Sequence, residues 1–170
     1  MLMRIKPVQN GDLIHLSRIE KELFKEDAFG VFLLFHYLQN HLLFQKIIDD
    51  SDEIIGFGII SQFNPALLNP HEMEYVDTLL KNKKKIAHLV DFAIRTQYWN
   101  QGYGTILLHQ FITTLIEKGY DFLYLEVDSS NSRAFQFYKK CEFEEIGIIQ
   151  SYYSTGHDAI LMLKSLERFS

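Results

Sequence analysis

The segment between Lys85 and Asp128 constrains the fold of this chain more than any other part. "KIAHLVDFAI" reads as a strand, and "YGTILLHQFITTLIEKG" sets Ile106, Leu107, Phe111, Leu115 and Ile116 on one side of a helix. "YDFLYLEVD" is then a second strand, apolar on both faces, and Gly119 before it is positioned to end the helix as its C-cap. A helix between two apolar strands needs a sheet to cover, which points to an α/β layer around a mixed sheet.

The flanking sequence extends that pattern. "LMRIKPV" is a short strand, and "NGDLIHLSRIEKELF" carries Leu13, Ile14, Leu16, Ile19, Leu23 and Phe24 at helical spacing, with a second helix over Phe29 to Tyr37. "LLFQKIIDD" and "SDEIIGFGIIS" form an antiparallel hairpin about an Asp/Ser turn, within which Gly56 and Gly58 mark a bulge or a close approach. Phe63 to Lys85 reads as a long loop with a helical turn near "EYVDTLL"; its Lys81, Lys83, Lys84 and Lys85 are a solvated edge or, alternatively, a grip for an acidic partner. After "SSN" come a short helix, "SRAFQFYKK", and two strands, "EFEEIGIIQSYY" and "DAILMLKSL".

No repeat, low-complexity tract or linker divides the 170 residues, so residues 1–170 are expected to form one domain. Seventeen Lys and Arg against 22 Asp and Glu leave a formal charge of −5, which argues against a protein built to neutralise nucleic-acid phosphates. Cys141 is the only cysteine, so an intrachain disulfide and a multi-cysteine zinc site are excluded and a reducing compartment fits. The start "MLMRIKPVQNGD" lacks the apolar core of a signal peptide, and "IIGFGII" is too short to cross a bilayer, so a cytoplasmic chain without a membrane partner is expected. His15, His36, His41, His71, His109 and His157 show no His-Glu-x-x-His spacing, and no metal is expected.

"TQYWNQGYG", just ahead of the central helix, is where chemistry enters. The first N–H groups of a helix have no intrahelical partner, and small residues there let a backbone wrap a phosphate. A dinucleotide fingerprint would need glycine where Leu107 stands, and a nucleotide-triphosphate loop would need Gly-Lys-Ser/Thr. Neither fits, and alone "GYG" more readily describes a tight turn with close packing. Together with "HLVDFAI" before it and "YLEVDSSNSRAFQFYKKCEF" after it, however, the stretch resembles the GNAT superfamily of acetyl-coenzyme A dependent N-acetyltransferases. The similarity runs from the first strand through Leu166 and is densest from Ala87 to Phe143; "SYYSTGHDAILM" looks like the ending of the protein N-terminal acetyltransferases, including the bacterial enzymes that modify ribosomal protein alanine termini.

The resemblance implies an α/β GNAT fold, with a mixed, mostly antiparallel sheet of about seven strands and about four flanking helices. It implies acetyl-CoA as co-substrate, with backbone amides of Gln101, Gly102, Tyr103, Gly104 and Thr105 on its pyrophosphate and the backbone of Phe92 and Ile94 on its pantetheine arm. Asn131 matches a polar position that contacts the cofactor, or is a plain N-cap. Tyr138 matches the tyrosine that protonates the departing sulfur. Tyr152 and Tyr153 fall where the acceptor is bound, or form an aromatic cross-strand pair.

Two residues are candidates for the general base. Glu126, on an otherwise apolar strand, matches the glutamate or histidine of the protein N-terminal acetyltransferases; a buried ion pair is the competing explanation. His88 matches the position used in other branches, or is a satisfied core histidine, and Asp91 faces the opposite side of the strand. Two departures stand out: Trp99 replaces the usual Arg or Gln, and Glu142 replaces a glycine, which requires its φ to be negative here. The expected activity is transfer of acetyl to a primary amine, a protein N-terminus or alternatively a small polyamine, by a monomer or homodimer. A non-catalytic acyl-CoA-binding module is the reading from another class.

Overall fold

β1 (Arg4–Pro7) lies at a sheet edge, where Pro7 removes no needed ladder donor, and pairs antiparallel with β2 (Leu43–Ile48) from Arg4↔Ile48 to Pro7↔Gln45. Between them run α1 (Leu13–Phe24) and α2 (Gly30–Gln39). The computed structural model describes residues 3–65 and 73–166, which fall in two compact units: Met1–Ser61 with Leu89–Phe111, and Gln62–His88 with Ile112–Ser170. Seven strands are hydrogen-bonded in the order β1-β2-β3-β4-β5-β7-β6, and five α-helices occur among the described residues, one more than about four.

In the first unit, Leu13, Leu16 and Ile19 of α1 meet Leu34 of α2 and Phe44, Phe57 and Ile59 of the hairpin strands in one apolar cluster. β2 and β3 (Ile54–Gln62) turn about Asp49, whose Oδ1 accepts the N–H groups of Ser51 and Glu53 and the Ser51 hydroxyl. Those donors, the hydroxyl first, hold the Asp49 carboxyl below its usual range. Both readings of the hairpin glycines apply. Ile47 faces Gly56 while Ile48 faces Ile54, so Ile55 is bulged out. A Cβ on Gly56 would collide with the carbonyl oxygen of Ala93, and one on Gly58 would stand 2.6 Å from the Phe111 ring.

In the second unit, the N-terminal end of β4 (Ile86–Ile94) pairs in parallel with β5 (Phe122–Asp128), from Ile86↔Phe122 to His88↔Tyr124. β7 (Ala159–Ser165) runs antiparallel to β5 on one side and to β6 (Glu144–Ile149) on the other. α4 (Tyr103–Glu117) ends as expected at Gly119, which takes φ +77° while Tyr120 N–H returns to the Leu115 carbonyl.

Two expectations are corrected. The segment from Phe63 to Lys85 is more than a loop with a helical turn: Met73–Lys81 is a nine-residue helix, α3, whose Val76, Leu79 and Leu80 pack on the cluster of Phe63, Ile86, Tyr124 and Leu161. The lysines after it obscure that short apolar stripe in the sequence. Glu142, after α5 (Ser132–Lys140), has φ +64°, not the negative value its side chain prefers. Its carboxylate pairs with Lys164 at 2.9 Å and its N–H bonds the Lys139 carbonyl, so the chain takes a glycine's conformation without a glycine.

Candidate active site

Parallel register decides which candidate bases meet. His88 stands opposite Tyr124, and two residues further along β5 the alternation returns Glu126 to the same face. The result is a contact of 2.7 Å between His88 Nε2 and Glu126 Oε2, with each side chain 8% exposed. The imidazole is packed edge-on against Tyr124, 5.3 Å between ring centroids, and against Phe63 at 6.4 Å. An ionised Glu126 requires the His88 proton on Nε2, which donates to the carboxylate. Glu126 Oε1 is buried without a hydrogen-bond partner among the described residues. His88 and Glu126 are therefore one pair rather than rivals, and the carboxylate retains an unused acceptor atom.

The same unit contains the tyrosines. α5 is amphipathic and buries Tyr138, whose ring meets Phe143 at 5.5 Å and Phe137 at 5.2 Å. Tyr152 is half exposed and packs edge-on against Tyr153 at 5.0 Å. Burial, then the nearby charge of Glu126, pushes the Tyr153 phenol well above the ordinary tyrosine range, with Asp128 and Tyr138 contributing, so Tyr153 stays a neutral donor. Asn131 acts as the N-cap of α5, its Oδ1 accepting Ala134 N–H at 3.0 Å. Asp128 and His157, which no sequence motif connects, lie 3.1 Å apart, Oδ2 to Nδ1. Their 29-residue separation hides them, although Asp128 lies on the Glu126 face by simple alternation.

The remaining candidates belong to the first unit. Gly102 has φ +84° and precedes α4, whose first intrahelical bond is from Ile106 N–H to the Gly102 carbonyl. The N–H groups of Tyr103, Gly104 and Thr105 lie ahead of that bond and have no intrahelical acceptor. Among the described residues nothing stands within 4 Å of a Cβ built on Gly102, which leaves room beside these donors. Gln101 folds back onto the Gln97 carbonyl at 2.9 Å. Trp99 has a local role, its indole Nε1–H donating to the Ile94 carbonyl at 2.6 Å, so of Ile94's backbone groups the carbonyl is already engaged. Phe92 points its ring at Phe111, 6.4 Å away. Asp91 is apart from the His88 pair, as alternation demands. It is buried against Glu20, and desolvation first, then the Glu20 charge, raises its carboxyl well above the usual range. Glu20 caps the start of α2 by accepting the N–H groups of Phe29 and Gly30.

No group of three or more His, Cys, Asp or Glu among the described residues could hold a metal, and His71 lies outside those residues. No helix among them is long and apolar enough to cross a membrane.

Comparison with known proteins bears on the family and the fold. The profile of the acetyltransferase (GNAT) family matches residues 12–143. An N-alpha-acetyltransferase of Saccharolobus solfataricus is 32% identical over 164 residues, covering 95% of this chain and 92% of the relative. Ard1 from Thermoplasma volcanium superposes with a TM-score of 0.81 at 19% identity, covering 99% of this chain and all of its own. Arabidopsis thaliana NAA60, solved with acetyl-CoA, superposes with a TM-score of 0.81 at 16% identity over 97% of this chain and 99% of its own. The structural likenesses share the fold, in agreement with the α/β sheet described above.

Proposed function

Because the chain belongs to the acetyltransferase (GNAT) family, we propose that it transfers acetyl from acetyl-CoA to the α-amino group of a polypeptide N-terminus. The observation that carries this reading is the buried His88–Glu126 pair, in which Glu126 Oε1 has no hydrogen-bond partner among the described residues and so keeps its capacity to accept a proton. The name of the Saccharolobus relative and the crystal form of NAA60 with acetyl-CoA support it.

The loop at Gly102 fits a diphosphate: three helix N–H groups lack intrahelical acceptors, and the space beside Gly102 is open. When bound, acetyl-CoA supplies an acetyl group already activated as a thioester. The backbone at 101–105 and the groups of Phe92 and Ile94 not otherwise engaged are assigned to gripping it.

The acceptor must arrive neutral. An α-ammonium has a pKa near ~8, against ~10.4 for lysine, so a weak base suffices for the former. Glu126 Oε1 takes that proton, directly or through one water, while the His88 Nε2–H on Oε2 keeps the carboxylate oriented. The amine nitrogen then bonds to the thioester carbonyl carbon, the carbon–sulfur bond breaks, and the Tyr138 hydroxyl gives its proton to the departing sulfur. The nitrogen sheds its second proton to solvent, Glu126 releases to solvent the proton it took, and Tyr138 is reprotonated from solvent. Tyr153, held neutral, is assigned to hydrogen-bonding the acceptor, with Tyr152 beside it.

Incubation with acetyl-CoA and peptides bearing both a free N-terminus and an internal lysine tests the reading. Mass spectrometric sequencing should locate the acetyl group on the α-nitrogen. Acetylation of lysine alone, or of a polyamine but of no peptide, would overturn it.

A further inference from the structure

We propose that Asp128 and His157 form a clamp that positions the Tyr152–Tyr153 turn for acceptor binding, an inference that rests on the acyl-transfer reading of the Glu126 site. Asp128 is the last residue of β5, two positions beyond Glu126 on the same face. Its Oδ1 accepts Ser130 N–H at 2.7 Å, and its Oδ2 faces His157 Nδ1 at 3.1 Å. The Ser130 hydroxyl is also 3.1 Å from Nδ1. A neutral imidazole has at most one proton on Nδ1, and the carboxylate, an acceptor only, is the atom set that needs it. A second link runs in parallel, from Ser129 N–H to the Asp158 carbonyl at 2.9 Å. The loop after β5 and the turn between β6 and β7 are thus fastened side by side.

The turn itself is rigid where it meets the clamp. Tyr153 N–H donates to the His157 carbonyl at 3.1 Å, Gly156 N–H to the Tyr153 carbonyl at 2.8 Å, and Ser151 N–H to Asp158 Oδ1 at 2.9 Å. A displacement of the His157 ring is therefore passed through the His157 backbone to Tyr153. Burial opposes ionisation of Asp128, but the Ser130 N–H, His157 and the Ser130 hydroxyl outweigh it and hold the carboxyl below its usual range. The pair is not core packing: His157 is 45% and Asp128 24% exposed, and neither belongs to the apolar cluster beneath Tyr153. Its loss should loosen the turn and leave the sheet intact. His157 is on this view a positioning residue, acting through Tyr153 rather than on the reacting atoms.

The test uses steady-state kinetics on the full chain with hexapeptides beginning in free Ala, Ser or Met. In His157→Ala the KM for peptide should rise about tenfold, while kcat and the KM for acetyl-CoA stay within about twofold. His157→Asn, whose amide can still donate to Asp128, should recover most of the loss. Adding Asp128→Asn to His157→Ala should cost nothing further, since the contact is already gone. An unchanged peptide KM, or an equal decline of all three constants, overturns the clamp. If the native chain acetylates no peptide, the acceptor reading fails separately, and amide hydrogen exchange then decides the clamp. Faster exchange at Ser129, Ser151 and Tyr153 in His157→Ala sustains it, and unaltered exchange refutes it.

Discussion

Replacing Glu126 by glutamine separates the chemistry of the buried pair from its structural role. The side-chain oxygen of glutamine can still accept the His88 Nε2–H that Glu126 Oε2 accepts at 2.7 Å, and its volume is nearly the same. A hydrogen bond to a charged group contributes about 1.5–3 kcal/mol and a neutral one about 0.5–1.5, so the substitution forfeits roughly 1 kcal/mol. Against this, Glu126 Oε1 is buried with no hydrogen-bond partner among the described residues, and removing the charge relieves its desolvation by a similar order. The two nearly cancel, and the melting temperature should move by no more than about 4 °C. Activity should behave differently, because an amide cannot take the acceptor's proton: kcat at neutral pH should fall about 100-fold or more. Release of free coenzyme thiol under saturating acetyl-CoA and peptide, set beside a circular-dichroism melt of the same preparation, measures both quantities. A kcat within about fivefold of the native value, with the melt unchanged, would remove Glu126 from the reaction and reduce the pair to a packing feature.

Other regions of the chain give equally direct checks. Glu142→Gly and Glu142→Ala both lose the exposed Lys164 pair, but only glycine relieves the left-handed φ of +64°, so Glu142→Gly should raise the melting temperature by about 2 °C or more and Glu142→Ala should lower it. Gly56→Ala should destabilise by about 1–3 kcal/mol in urea titrations, because its Cβ meets the Ala93 carbonyl rather than a movable side chain. Asp91, its folded-state carboxyl raised above the unfolded value, contributes stability that is complete below the ordinary carboxyl pKa and is lost as pH rises through the folded value. Urea midpoints should therefore decline with rising pH on account of this group and flatten in Asp91→Asn. The Asp49 carboxyl, lowered instead, contributes in the opposite sense, with its share lost as pH falls through its folded value.

What could be read in advance was whatever depends on neighbours in sequence. α4 and its end at Gly119 follow from helical spacing and one glycine, and the hairpin about Asp49 from two apolar runs and a polar turn. α3 reads in the sequence as no more than a helical turn, because nine residues with three packed apolar side chains give a weak period beside a run of lysines. Glu142 was misjudged because a long-range ion pair with Lys164 helps to hold it in an unfavourable conformation, and no local rule anticipates that. His88 and Glu126 were both visible as candidates, but their meeting depends on the offset at which β4 and β5 align. The Asp128–His157 contact required the closed β6–β7 turn as well. Trp99, an apparent anomaly, has a local duty to the Ile94 carbonyl that spacing alone does not reveal.

β4 presents His88 to one side of the sheet and Asp91 to the other, each hidden from water beside a carboxyl group of its own: Glu126 for the histidine and Glu20 for the aspartic acid. Slipping that strand by one residue would exchange the two sides and part each polar group from the counterpart it now has. Misthreaded chains thus incur an electrical penalty on top of a greasy one, and proofreading of strand alignment is written into these two buried groups.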